Sequence, residues 1–366
     1  MPKPPFKGSS TEPKTGRQWR LGYTITLSII VFGAGFLLFR SPPSTPPTFA
    51  TPHGYSQALE QAHNGKPGAA RVLYQQLSRT DLSDIRRVNL LVELPNYPSP
   101  QALKLANGDL HHSALTVRQA AIDAIVKLVS GSQRSVLLGP LLDETDQATR
   151  FSAAKALLGL TPDELGLYFG PLEQVVEEYE HILADQPPTS QSQLQLATLY
   201  LHSGDQIPAM KALEQSIVLD PNNLQAGLAQ IAAFDKQGQV DKARQLLGQQ
   251  LERNPKSATL QHVLGIWLLH HGQSEYALLA LAKALELEPE NNGYRYDLAV
   301  ALHDLDQLEA AQKQLEEIVQ RHPANRAARV LLIRYWQESG QLQKVQVLLA
   351  ELEQQNPDDP ALQQGL

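Results

Sequence analysis

Six prolines stand in phase: Pro187, Pro221, Pro255, Pro289, Pro323 and Pro357 each lie 34 residues from the next. Proline lacks an amide donor and clashes with the preceding helical turn, so this spacing cuts the second half of the chain into equal lengths. Seventeen residues ahead of these prolines stand Gly170, Gly204, Gly238, Gly272, Asp306 and Gly340. Such a position suits a reversal between two antiparallel helices, where glycine turns without a Cβ penalty. Between glycine and proline, Ala209, Ala243, Ala277, Ala311 and Val345 let helices approach closely. Leu213, Leu247, Leu281, Leu315 and Leu349 follow four positions later, and Ser216, Gln250, Ala284, Ile318 and Leu352 come next. First helices carry Leu196, Gln230, Leu264, Leu298 and Leu332 at one equivalent site, and Tyr200, Phe234, Leu268, Leu302 and Trp336 at another. A hairpin of this length cannot bury its own apolar face, so the units must stack.

This pattern resembles the tetratricopeptide repeat. Five full units run from Ser190 to Asp359, and GPLEQVVEEYEHILADQP supplies the second helix of a sixth. The resemblance implies that first helices line a concave face. Carried over position by position, it nominates Gln191, Thr198, His202, Asp235, Lys236, His262, Ile266, His270, Tyr296, His303, Arg334 and Gln337 as the lining. A histidine, tyrosine and arginine lining suits an extended peptide or an acidic tail.

A different period comes first. Arg86, Arg118 and Arg150 stand 32 residues apart, each after an acid-containing turn (TDLSD, NGDLHHSA, LDETDQA) and before a helical apolar face such as Ala120, Ala121, Ala124, Ile125 and Leu128. This resembles HEAT repeats, in which an acidic turn and an arginine tie neighbouring units together; an irregular helical bundle capping the array is the other reading.

Leu21 to Phe39 is free of charge over nineteen residues, about 28 Å as a helix against a hydrocarbon core of about 30 Å. A cleavable signal peptide is the alternative, but its apolar region is usually only about 7–15 residues. Lys3, Lys7, Lys14, Arg17 and Arg20 precede the span and Arg40 alone follows before Lys66, which keeps the N-terminus cytoplasmic. Residues 1–20 are then a cytoplasmic tail, 21–39 a transmembrane anchor and 40–54 a proline-rich spacer. In a Gram-negative bacterium this is an inner-membrane protein with its solenoid in the periplasm. The expected fold is all-α: a right-handed α-solenoid of HEAT-like repeats over 55–165 and about five and a half tetratricopeptide repeats over 166–366, behind one transmembrane helix.

The stretches LPNYPSPQAL, VRQAAIDAI, RFSAAKALLGL, QHVLGIWLL and YRYDLAVALHDL, with Glu178-Tyr179-Glu180 at the junction, are similar to the non-haem half of bacterial multihaem cytochrome c fusion proteins. The resemblance implies a protein partner, a periplasmic cytochrome c or its apoprotein, held by a scaffold. Within it lies a second version, an assembly factor of cytochrome c maturation that holds apocytochrome tails. A metal or haem carrier, or an enzyme, is the rival class.

Chemistry weighs against that rival. The chain has no cysteine, which excludes disulfides, iron–sulfur clusters, thiol nucleophiles and C-x-x-C-H haem attachment. Neither G-x-S-x-G nor G-x-x-x-x-G-K-[ST] occurs, and Gly65-Lys66-Pro67-Gly68 reads as a turn between helices. His111-His112 and His270-His271 are adjacent, so neither pair shares a helix face, and no H-x-x-x-H occurs. No cofactor or metal is expected. A formal net charge of −7 gives no basis for nucleic acid. After Pro357 only DDPALQQGL remains, too short to cover the last unit, so Val347, Leu348, Leu349 and Leu352 are expected to include partly bare residues, a second candidate edge for docking or self-association.

Overall fold

The computed structural model describes residues 54–363. The anchor, most of the spacer and the signal-peptide alternative lie outside the described residues. Among the described residues there is no strand, and no helix is long and apolar enough to cross a membrane.

The 34-residue period becomes geometry directly. First helices are α10 (Ser190–Ser203), α12 (Leu224–Lys236), α14 (Ala258–His270), α16 (Asn292–Asp304) and α18 (Arg326–Glu338). Second helices are α11 (Gln206–Leu219), α13 (Val240–Arg253), α15 (Ser274–Leu287), α17 (Leu308–Arg321) and α19 (Leu342–Gln355). Each first helix is started by a side chain that accepts an orphan amide: Thr189, Asn223, Ser257, Asn291 and Asn325, again 34 apart. Ala209, Ala243, Ala277 and Ala311 are fully buried where paired helices cross. Their methyl-sized side chains set how closely the backbones approach, and the leucines four positions on fill the space beyond. One turn departs from expectation. Gly170 lies inside α9 (Phe169–Asp185), and the positive-φ glycine ahead of that helix is Gly166 instead.

Upstream stand α1 (Tyr55–His63), α2 (Ala69–Leu77), α3 (Asp84–Glu93), α4 (Pro100–Asp109), α5 (Leu115–Leu128), α6 (Gly131–Leu138), α7 (Gln147–Leu157) and α8 (Pro162–Leu165). One apolar core runs from Ala62 to Ala233 without a break at residue 165. Arginine staples hold this region. Arg118 donates Nη1 to the carbonyls of His112 and Ser113 (2.7 and 2.9 Å), ahead of its own helix. It reaches Thr149 Oγ1 (2.7 Å) and Asp146 (3.0 Å) of the next unit. Arg150 repeats this on the carbonyls of Glu144 and Thr145 and the carboxylate of Glu178. The third member is Arg87, not Arg86: Arg87 binds the Arg79 carbonyl and Asp109 (2.7 Å), whereas Arg86 lies over the Tyr55 ring. Because α3 begins at Asp84, the inward-facing arginine falls one residue later than the 32-residue spacing implies.

The C-terminal edge is covered only in part, as expected. Leu348 and Leu352 are 4% and 2% exposed, and of the four residues only Val347, at 61%, stands in solvent. The chain past Pro357 contributes through Asp359, which is fully buried and grips Arg326 with both oxygens (2.6 and 2.7 Å). The rest of the cover comes from the other end of the array. Gly68 N donates to the Gln354 carbonyl (2.7 Å), and Asn356 Nδ2 donates to the Pro98 carbonyl (2.8 Å). The His63 and His322 rings meet edge to face at 6.2 Å, and Ala324 joins the N-terminal core. The first and last described units therefore close on each other.

Candidate functional site

The first helices are knit side by side by histidine and tryptophan donors on carboxylates one unit away. His262 Nε2 lies 2.7 Å from Asp297 with its ring stacked on Tyr294, and His303 Nε2 lies 2.6 Å from Glu338 with its ring stacked on Tyr335. Asp235 accepts from Trp267 Nε1 at 3.0 Å and pairs with His271 Nε2 at 2.8 Å. His202 Nε2 reaches back to Glu173 at 3.0 Å. Each rung ties adjacent units, because residues about one repeat apart occupy the same height on neighbouring helices.

The nominated residues thus divide. His202, His262 and His303 spend a ring nitrogen on the solenoid itself. Gln191, Lys236, His270 and Arg334 are exposed, and Gln337 is half-buried. Thr198 is exposed but turns its hydroxyl onto the Leu194 carbonyl (2.9 Å). Tyr296 is half-buried; burial raises its phenol, with Asp297 adding to the rise and Arg334 opposing it. Tyr335 behind it is pushed up to about 12 by burial first and by Asp304 next.

Four nominated residues converge. His262, Ile266 and His270 of α14 line a cavity of about 250 Å³ with Leu228, Ile231, Ala232 and Asp235 of α12 and with Val263 and Trp267. The sequence reading missed this apolar floor because it took only the outward positions of each helix. It also missed the carboxylates of Asp297 and Glu338, although His262–Asp297 and His303–Glu338 share a spacing of 35 residues, one repeat plus one. Among the described residues no group of three or more histidine, aspartate or glutamate side chains is placed to hold a metal.

The tetratricopeptide-repeat family matches residues 190–223 and, by a second profile, residues 310–366. The chain carries tetratricopeptide repeats. A relative from Sinorhizobium fredii, the uncharacterized protein y4yS, is 37% identical over 67 residues, which is 18% of this chain and 37% of that protein. The chain thus spans well under half the length of the curated relative it matches. Among solved structures, MamA is 17% identical with a TM-score of 0.37, covering 45% of this chain and 91% of its own. YrrB, described as a TPR protein with an unusual peptide-binding site, is 16% identical with a TM-score of 0.36, covering 52% and 98%. A tetratricopeptide repeat protein from Parabacteroides merdae is 18% identical with a TM-score of 0.39, covering 48% and 70%.

Proposed function

We propose that this chain is a membrane-tethered scaffold that holds an extended segment of a partner protein on the face of its first helices. The observation that carries the reading is the cavity between α12 and α14, set in a face whose neighbouring helices are locked by side-chain rungs. A locked face limits the ordering cost of binding, which is where a preformed groove gains affinity over a flexible one. The charge-free span over residues 21–39 and the lysines and arginines ahead of it supply the tether, with the solenoid across the bacterial inner membrane in the periplasm. The arginine staples support HEAT-like kinship for the first region. The resemblance to the non-haem half of multihaem cytochrome fusions supports a respiratory cytochrome, or its apoprotein, as the partner.

The test is site-specific photo-crosslinking of the full chain in its own membranes. A crosslinker at Lys236 or Arg334, exposed on first helices, is expected to trap a discrete partner. One at Lys313, exposed on second helix α17, is expected to trap none. Equal trapping from both positions would remove the first-helix face as the binding surface. Haem in the trapped adduct separates a mature cytochrome from an apoprotein.

A further inference from the structure

We infer that the cavity between α12 and α14 takes one large uncharged apolar side chain of an extended peptide, and not a carboxylate of an acidic tail. The inference rests on the first-helix reading above. Helices α10 and α14 contain no Asp, Glu, Lys or Arg, and α12 contains only Asp235 and Lys236 at its end. Apart from His270 at the mouth, the ionisable groups at the cavity are already committed: Asp235 to Trp267 and His271, and His262 to Asp297. No lysine or arginine lines it. A ligand carboxylate entering there would lose its water and find no free cation, whereas a hydrocarbon would lose nothing.

About 250 Å³ is below the roughly 300–1,000 Å³ of small-molecule sites, which fits one residue and not a cofactor. Leu228, Ile231, Val263 and Ile266 form the apolar wall with Trp267. His270, exposed at the mouth, leaves ring nitrogens for the peptide backbone. Burying one leucine- or phenylalanine-sized side chain in such a wall is expected to change affinity roughly 10- to 100-fold.

The experiment selects peptides from a random display library on the detergent-solubilised full chain. Three proteins are compared: the wild type, Ala232→Trp, and the charge reversal Lys236→Glu with Arg334→Glu. Ala232 is exposed at the cavity wall, so its replacement blocks the cavity, and an unchanged melting temperature confirms that the fold is intact. The expected peptides share one Leu, Ile, Met or Phe. Its change to alanine, or Ala232→Trp in the protein, costs roughly 10- to 100-fold. Raising salt from about 0.05 to 0.5 M changes binding less than about threefold. Acid-rich peptides that are lost in high salt and on charge reversal, and are indifferent to Ala232→Trp, would overturn the apolar anchor while leaving the first-helix face in place. Peptides insensitive to all these substitutions, or a selection that yields none, would count against both.

Discussion

Asp306 has φ +58°, in the left-handed region where Gly204, Gly238, Gly272 and Gly340 sit at +81°, +72°, +69° and +73°. The fold demands that conformation at the hairpin turn of every unit, and in the fourth unit it imposes it on a residue with a Cβ. Aspartate tolerates this better than most residues but still bears a steric cost. Asp306→Gly is therefore expected to stabilise the protein by about 0.5–1 kcal/mol, whereas Asp306→Val is expected to destabilise it by at least about 1 kcal/mol. Urea unfolding of both variants measures the pair. Equal stability of Gly and Val at this position would show that the turn does not require a left-handed residue.

Helix α5 depends on Arg118 for its attachment to both neighbours. The guanidinium is largely buried and spreads its donors over two carbonyls, a hydroxyl and a carboxylate, so one side chain satisfies the turn before α5 and grips the start of α7. Asp146, its partner, also caps α7 by accepting from Thr149 N, and its carboxyl is held below the usual range, first by the Thr149 hydroxyl. Arg118→Ala removes the side-chain donor to the His112 and Ser113 carbonyls and the tie to the next unit, and is expected to cost about 2–3 kcal/mol. Arg118→Lys is expected to recover less than half of that, because an ammonium cannot address four acceptors in the plane of a fork. Full recovery with lysine in a urea titration would reduce the staple to simple charge pairing.

Closure of the two ends decides the shape available to a partner. Gly65, at φ +55°, sits so tightly against the last units that an added Cβ would lie 2.8 Å from Ala324 N and from the Pro323 carbonyl. The seam is polar in part. Arg329 is 2% exposed, its pKa is drawn down by burial, Glu351 is 3.4 Å away, and its Nε and Nη1 have no hydrogen-bond partner. An incompletely paired buried charge offsets some of what the contact gains. Because the chain contains no cysteine, the pair His63→Cys and His322→Cys gives a clean report. A short bis-maleimide is expected to join the two within one molecule at any protein concentration. Gly65→Val in that background is expected to reduce the crosslink at least about tenfold with helicity retained, since the backbone beside it cannot yield cheaply. Crosslinks that grow with concentration would mean that the ends meet between molecules instead.

The 34-residue hairpins were legible in the sequence because a stacked unit answers only to its neighbours: a turn residue, a small contact residue and a stop recur wherever the same local problem recurs. The exceptions were off by local shifts, Gly166 for Gly170 and Arg87 for Arg86, where a helix begins at a different residue from its period. Pairing between units was encoded only faintly, as an acid 35 residues after His262 and again after His303, and it acquires meaning once the helices are laid side by side. The meeting of Gly68 with Gln354 and of Asn356 with Pro98 left no periodic trace. Closure is set by the sum of small rotations over every unit between those residues, a quantity that no single repeat contains and only the tertiary structure decides.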